Sequence, residues 1–289
     1  MDIGRVFATS FAMLRQRFWL LVGMWAVFFA IQLAASIVLG IGMAVLGMAG
    51  AAGMGAGIED PGAIAGLGVG MIVFMVLFYG AYLVIVLAQQ AAMVTIASPL
   101  EEPSFSAAMT RGFKSALPFF GIAVLMMLGY LALVALMAGV LGAASVGGGT
   151  AGSAAAVVVA LAFLPLLIFF ACRFSVLIPV VAVDQVFNPV AAMRRSWSVT
   201  RGKVLRIMLA FLGFFGITLL ALGVPFALLF GAIFAGQDNP AAVAGIAIIG
   251  VLAIIPLFII YMMFTSTFTA ALHSEVTGGG AETLEEVFA

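Results

Sequence analysis

Charge is what this chain has least of. Only 8% of its 289 residues are Asp, Glu, Lys or Arg, and eleven basic side chains offset eleven acidic ones to a formal net charge of zero. A soluble domain is about 25% charged, so a water-soluble globule is excluded: there is too little polar surface to cover it. The neutral balance also argues against nucleic-acid binding, which draws its affinity from an excess of cations at phosphates. There is one cysteine, Cys172, so disulfides and cysteine metal clusters are excluded. There is one histidine, His273, which excludes most multi-histidine metal sites. A nucleophilic cysteine needs an activating base, and Cys172 has no histidine beside it in sequence. No glycine run carries the lysine of a phosphate loop, and no cofactor box stands out among 17 Met and 26 Phe. No catalytic residue, cofactor or metal site is expected.

What the chain has in abundance is apolar length. Hydrophobic residues make up 66% of the sequence, and the mean hydropathy is +1.34. A bilayer-spanning helix needs about 20 mainly apolar residues. Six stretches qualify, at 18–48, 66–97, 117–143, 154–186, 204–235 and 243–273. Pro165, Pro225 and Pro256 fall inside the last three and are expected to kink them. A cleaved secretory leader is not expected, because its apolar region is about 7–15 residues and the first run here continues to residue 48. The expected fold is therefore all-α, polytopic and membrane-embedded. It comprises one membrane domain over 1–274 and a short acidic tail over 275–289.

Basic residues are unevenly placed. Arg5, Arg15 and Arg17 precede the first span, Arg111 and Lys114 lie between spans two and three, and Arg194, Arg195, Arg201, Lys203 and Arg206 lie between spans four and five. The alternate loops, 49–65, 144–153 and 236–242, hold no Lys or Arg. Cytoplasmic loops are the ones enriched in Lys and Arg. The expectation is a bacterial inner-membrane protein with both termini in the cytoplasm. The eleventh basic residue, Arg173, lies inside a span.

The segments before the odd-numbered spans resemble one another. SFAMLRQRFW from Ser10 and SWSVTRGKVL from Ser196 share Ser-aromatic-x3-Arg-x-basic. FSAAMTRGF from Phe105 aligns with PVAAMRRSW from Pro189, which places Phe11, Phe113 and Trp197 in equivalent positions. Leu117 stands where the first and third copies have Arg15 and Arg201. Three parallel repeats are expected, over 1–100, 101–187 and 188–274, each an amphipathic interfacial helix followed by a two-span hairpin. In the first helix Ile3, Val6, Phe7, Phe11, Leu14 and Phe18 form one stripe. In the third, Val190, Met193, Trp197 and Val204 do so, after an Asn188-Pro189 start signal. Such helices either lie in the headgroup plane or rest on the protein's own surface.

The segment Arg173–Gly202 resembles the bacterial glycerophosphoryl diester phosphodiesterase membrane-domain family. The matching residues are Arg173, Pro179, Asp184, Ala192, Arg195, Ser196, Trp197, Thr200 and Gly202. Asp184 departs mildly from that pattern, where Glu is more usual. The resemblance implies the membrane part alone. The family's phosphodiesterase chemistry belongs to a separate domain with paired histidines, for which this chain has no counterpart. It further implies a role in phospholipid or envelope homeostasis.

A polar cluster is expected at membrane depth. An unpaired charge in hydrocarbon is costly, so Arg173 is expected to face inward and bond Gln89, Gln90, Thr265, Ser266, Thr267 or carbonyls freed by the prolines, rather than reach outward to a lipid phosphate. The leading functional expectation is a non-enzymatic membrane protein. It would engage membrane phospholipid or a membrane-protein partner, including another copy of itself, through its interfacial basic residues. The alternative is a transporter or channel with a cavity between the repeats. A membrane-embedded enzyme would need several ionisable groups at depth, and only Arg173 is deep. Two features stay open. Glycines at 53, 57, 62, 66 and 70 have the spacing of close helix packing. After Gly278-Gly279-Gly280, residues Leu284, Val287 and Phe288 either form a docking helix or belong to a frayed tail.

Overall fold

The computed structural model describes residues 1–55, 61–146, 150–236 and 239–278, and among these there is no strand. In chain order the helices are α1 (Ile3–Gln16), α2 (Phe18–Gly55), α3 (Pro61–Ala97), α4 (Phe105–Val146), α5 (Thr150–Phe174), α6 (Leu177–Ala182), α7 (Pro189–Val199), α8 (Val204–Thr218), α9 (Val224–Ala235) and α10 (Pro240–Val276). A π-helical turn, Leu219–Gly223, joins α8 to α9. It ends two residues before Pro225, whose missing N–H and bulky ring are what such a turn accommodates. Helix starts follow capping chemistry. The Asp2 carboxylate accepts from the Gly4 and Arg5 amides at 2.9 and 3.4 Å. The Asn188 side chain accepts from the Val190 and Ala191 amides at 3.0 and 3.1 Å, with Pro189 in the first turn.

Six helical stretches are long and apolar enough to cross a membrane: Phe18–Val45, Val69–Ala97, Phe105–Gly142, Phe163–Ala182, Val204–Ala235 and Ala241–Val276. Their outer surfaces are apolar, with Leu77, Leu220 and Ile249 each about 70% exposed. Only hydrocarbon makes such surfaces inexpensive, so the molecule is a multi-pass membrane protein.

The buried residues gather at the end of the bundle that carries the basic side chains. One cluster centres on Val176, Val180 and Val181 with Ala192, Ile207 and Leu272. A second joins Leu21, Met24 and Phe28 to Ala92, Met93 and Met263. At this end α1 rests on α10, the first turns of α4 on α3, and α7 on α5 and α6. Helices α3, α6 and α10 touch one another pairwise. Small residues set the α3–α4 approach. A Cβ added to Gly112 would lie 2.6 Å from the Ala88 carbonyl oxygen.

Several expectations change. The fourth span does not continue to residue 186. Helix α5 ends at Phe174, and the short α6 follows a turn at Ser175–Val176. Pro179 is the physical reason, since a proline clashes with the carbonyl four residues back, here Ser175. The second interfacial segment is not a separate helix, because α4 runs from Phe105 through Pro118 without interruption. Helix α10 extends past residue 274 to Val276. The stripe on α1 packs on protein in part: Val6 is buried and Phe7 meets Phe268, while Phe11 stacks one face on Phe264 at a centroid distance of 4.8 Å and stays half exposed. Of the spaced glycines, Gly57 lies outside the described residues, and a Cβ on Gly70 would meet nothing within 4 Å. Leu284, Val287 and Phe288 also lie outside the described residues.

Candidate functional site

Arg173 does not bond the polar residues expected of it. Because α5 stops at Phe174, Arg173 occupies the last turn of a helix, where the macrodipole favours a cation. Its guanidinium donates to the Trp197 carbonyl at 3.0 Å and lies over the Trp197 and Phe169 rings at 4.6 and 5.2 Å from their centroids. Its own carbonyl accepts from Ser196 Oγ at 2.7 Å and Thr200 Oγ1 at 3.4 Å. The half-buried residue is thus held by α7. Its charge has no carboxylate partner among the described residues, and its buried Nε–H has no acceptor there.

The other members of the expected cluster are dispersed. Gln89 is buried between α2 and α3 and accepts from Gln32 Nε2 at 2.6 Å, with Tyr82 Oη 3.5 Å from Gln32 Oε1. Gln90 is half-buried on the same helix and does not join Arg173. Thr265, Ser266 and Thr267 donate to carbonyls of their own helix, those of Tyr261, Met262 and Phe264. Hydroxyls in an apolar helix satisfy themselves this way and so need no partner across the bundle. Gln32, a polar residue within the first span, is the partner that the expected cluster left out. Its presence opposite Gln89 makes an interhelical hydrogen bond where water is scarce.

Of the ten basic residues outside Arg173, Arg5 pairs with Glu275, and the other nine, the expected lipid-facing set, divide in two. Arg17 donates to the carbonyls of Ile96, Ser98 and Glu101 at 2.6, 2.9 and 3.0 Å. Arg111 pairs with Glu101 at 2.5 Å and Arg195 with Asp184 at 3.7 Å. Lys203 Nζ donates to the Val276 carbonyl, and Arg206 to that of Met1 at 3.4 Å. Arg15, Lys114, Arg194 and Arg201 are exposed and have no ion-pair partner among the described residues. The first five hold the fold together. The last four leave their charge to whatever lies outside the protein.

One polar node was not foreseen. His273, buried on α10, has its Nε2 3.3 Å from Asp184 Oδ2, and Arg195 Nε approaches the same oxygen. Asp184 therefore ties the turn after α6 to both α10 and α7. That turn is tight enough to put Gln185 at φ 56°, a left-handed conformation that costs a non-glycine residue about 1–2 kcal/mol. Two residues further along α10, Glu275 accepts from the Asp2 amide at 3.1 Å and pairs with Arg5 at 3.5 Å. The residues resembling a family signature thus interlock: Arg173 with Ser196, Trp197 and Thr200, and Asp184 with Arg195. Each partner holds a corner of the chain. No group of three or more His, Cys, Asp or Glu residues is gathered for a metal among the described residues.

Fold and site together define an all-helical multi-pass membrane protein with an internally braced basic end. Comparison with protein-family models, curated proteins and solved structures finds no match to this chain.

Proposed function

We propose that this protein is a non-enzymatic inner-membrane protein that engages anionic phospholipid through its basic, cytoplasmic end, in the service of phospholipid or envelope homeostasis. The observation that carries the reading is the set of four exposed cations, Arg15, Lys114, Arg194 and Arg201, beside exposed Phe11, Leu117 and Trp197. Cations above an apolar rim suit a headgroup layer, where each contributes about 1 kcal/mol toward an anionic surface.

We further propose that the chain is three parallel repeats arranged in a ring. The support is that aligned positions have aligned roles. Ser10, Gly112 and Ser196 are all small and buried. Arg15, Leu117 and Arg201 are all exposed. Arg17 and Lys203 each reach carbonyls ending the last long helix of their own repeat, while the aligned Phe119 packs with the α6 valines instead. The lead helix of each repeat rests on the last helices of the one before, α1 on α10, α4 on α3, and α7 on α5 and α6. The resemblance to the glycerophosphoryl diester phosphodiesterase membrane domain fits this reading. The mutual bonding of Arg173, Ser196, Trp197 and Thr200 gives that signature a structural reason for its spacing.

The test is lipid preference. The full chain carrying Arg15→Gln, Lys114→Gln, Arg194→Gln and Arg201→Gln is expected to lose at least about tenfold of its preference for phosphatidylglycerol over phosphatidylcholine. Fluorescence quenching by brominated lipids in mixed vesicles reads this directly. An unchanged preference would refute the proposal. The alternative transporter reading gains no favouring observation here, since Arg173, Gln89 and the Thr265–Thr267 hydroxyls occupy separate partnerships.

A further inference from the structure

A crevice of about 420 Å³ lies between α4 and α5. Leu125, Gly129 and Leu133 form one wall, Phe170 and Phe174 the other, and Met193 of α7 closes one end. The lining is almost wholly apolar. Along each helix it extends about 10–12 Å at 1.5 Å per residue, a length that suits an extended hydrocarbon segment. The end closed by α7 is the basic end. There the Trp197 ring meets Phe170 and Phe174 at centroid distances of 6.0 and 5.8 Å and also carries the Arg173 guanidinium. Arg194, exposed, follows Met193 directly. The Arg173 guanidinium thus lies one ring away from two lining phenylalanines, and Arg194 is the sequence neighbour of the lining Met193; neither cation is paired with a carboxylate among the described residues.

We infer that this crevice holds one acyl chain of an anionic glycerophospholipid, with the lipid phosphate against Arg173 and Arg194. Charge complementarity selects this occupant. An uncharged occupant would fill the slot but leave the Arg173 charge without a counter-ion, and such a charge near hydrocarbon is costly. The inference rests on the lipid-engaging reading above and makes it specific, a single retained lipid rather than a general surface preference.

Gly129 allows a clean test, because a Cβ placed there meets nothing within 4 Å. Gly129 also lines the crevice, so the ring of Gly129→Phe is expected to occupy it. Native mass spectrometry of the delipidated full chain, titrated with dioleoyl phosphatidylglycerol or dioleoyl phosphatidylcholine, provides the readout. The wild type is expected to retain one phosphatidylglycerol. Gly129→Phe is expected to cut that occupancy more than about tenfold, and Arg194→Gln about fivefold. Equal retention of the two lipids, an unaltered single adduct in Gly129→Phe, or a dimer in place of the adduct would each overturn the inference. The variant carrying Arg15→Gln, Lys114→Gln and Arg201→Gln separates the two proposals. If its general anionic preference is unchanged while the Gly129-sensitive adduct persists, the surface reading alone fails.

Discussion

Gly112 and Gly80 are both interior helical glycines, and the same substitution is expected to act on them with opposite sign. At Gly80 a Cβ meets nothing within 4 Å, so alanine gains helix propensity worth up to about 1 kcal/mol without opposition. At Gly112 the added carbon would sit 2.6 Å from the Ala88 carbonyl oxygen and 2.8 Å from the Ala92 Cβ. Backbone cannot yield as a flexible side chain does, and overpacking of this kind costs about 1–3 kcal/mol. Thermal unfolding in detergent is expected to show Gly112→Ala less stable than wild type and Gly80→Ala equal to it or better. A Gly112→Ala protein as stable as wild type would mean that α3 and α4 do not approach as closely as described. Nothing in the local sequence separates these two glycines. Their difference comes from which helix lies opposite, which is tertiary information.

At the scale of helices, cations brace the ends where long helices finish. The last carbonyls of a helix have no intrahelical donor, and Arg17 supplies donors at the end of α3 and in the turn beyond it. Lys203 does so for α10. Hydrogen bonds to charged groups contribute about 1.5–3 kcal/mol. Arg17→Gln is accordingly expected to lower stability by about 2–3 kcal/mol, and Arg17→Lys, which keeps the charge but loses the fork, by less. Arg15→Gln, an exposed change two residues away, is expected to have an effect near zero. Thermal unfolding of the three variants side by side decides the matter, and equal losses at positions 15 and 17 would defeat the bracing role. The spans, the basic asymmetry and the Asn188 start of α7 were legible because each rests on local composition. The partner of Arg173 was not. A span continuous over 154–186 would hold Arg173 well inside it, whereas α5 stops at Phe174 and brings Arg173 under α7. Pro179 carried the signal for that break, but Pro165 and Pro256 sit inside helices that continue. A proline alone does not say which outcome prevails. The Asp184–His273 pair, 89 residues apart in sequence, depended on the same turn and was equally out of reach.

For the whole molecule, the decisive quantity is which way the basic end faces. All ten basic residues outside Arg173 lie in segments at one end of the bundle, near residues 1–17, 96–114, 184–206 and 273–278 that contact one another there. Translocating Lys and Arg across a bilayer is disfavoured, and the bias in short loops sets orientation. The expected topology therefore has this end in the cytoplasm and loops 49–65, 144–153 and 236–242 in the periplasm. Single cysteines report it, once Cys172, which is buried, is replaced by alanine. A cysteine at Thr150 is expected to react with a membrane-impermeant maleimide in intact cells. Ser274 is a poor reporter for the other side, because it is half-buried and its neighbours His273 and Glu275 are bonded to Asp184 and to the start of α1. Lys114, exposed and without an ion-pair partner among the described residues, serves better. A cysteine there is expected to react only after the inner membrane is permeabilised. The opposite pattern would put four unpaired cations in the periplasm, against the charge bias, and would remove the anionic cytoplasmic leaflet from their reach.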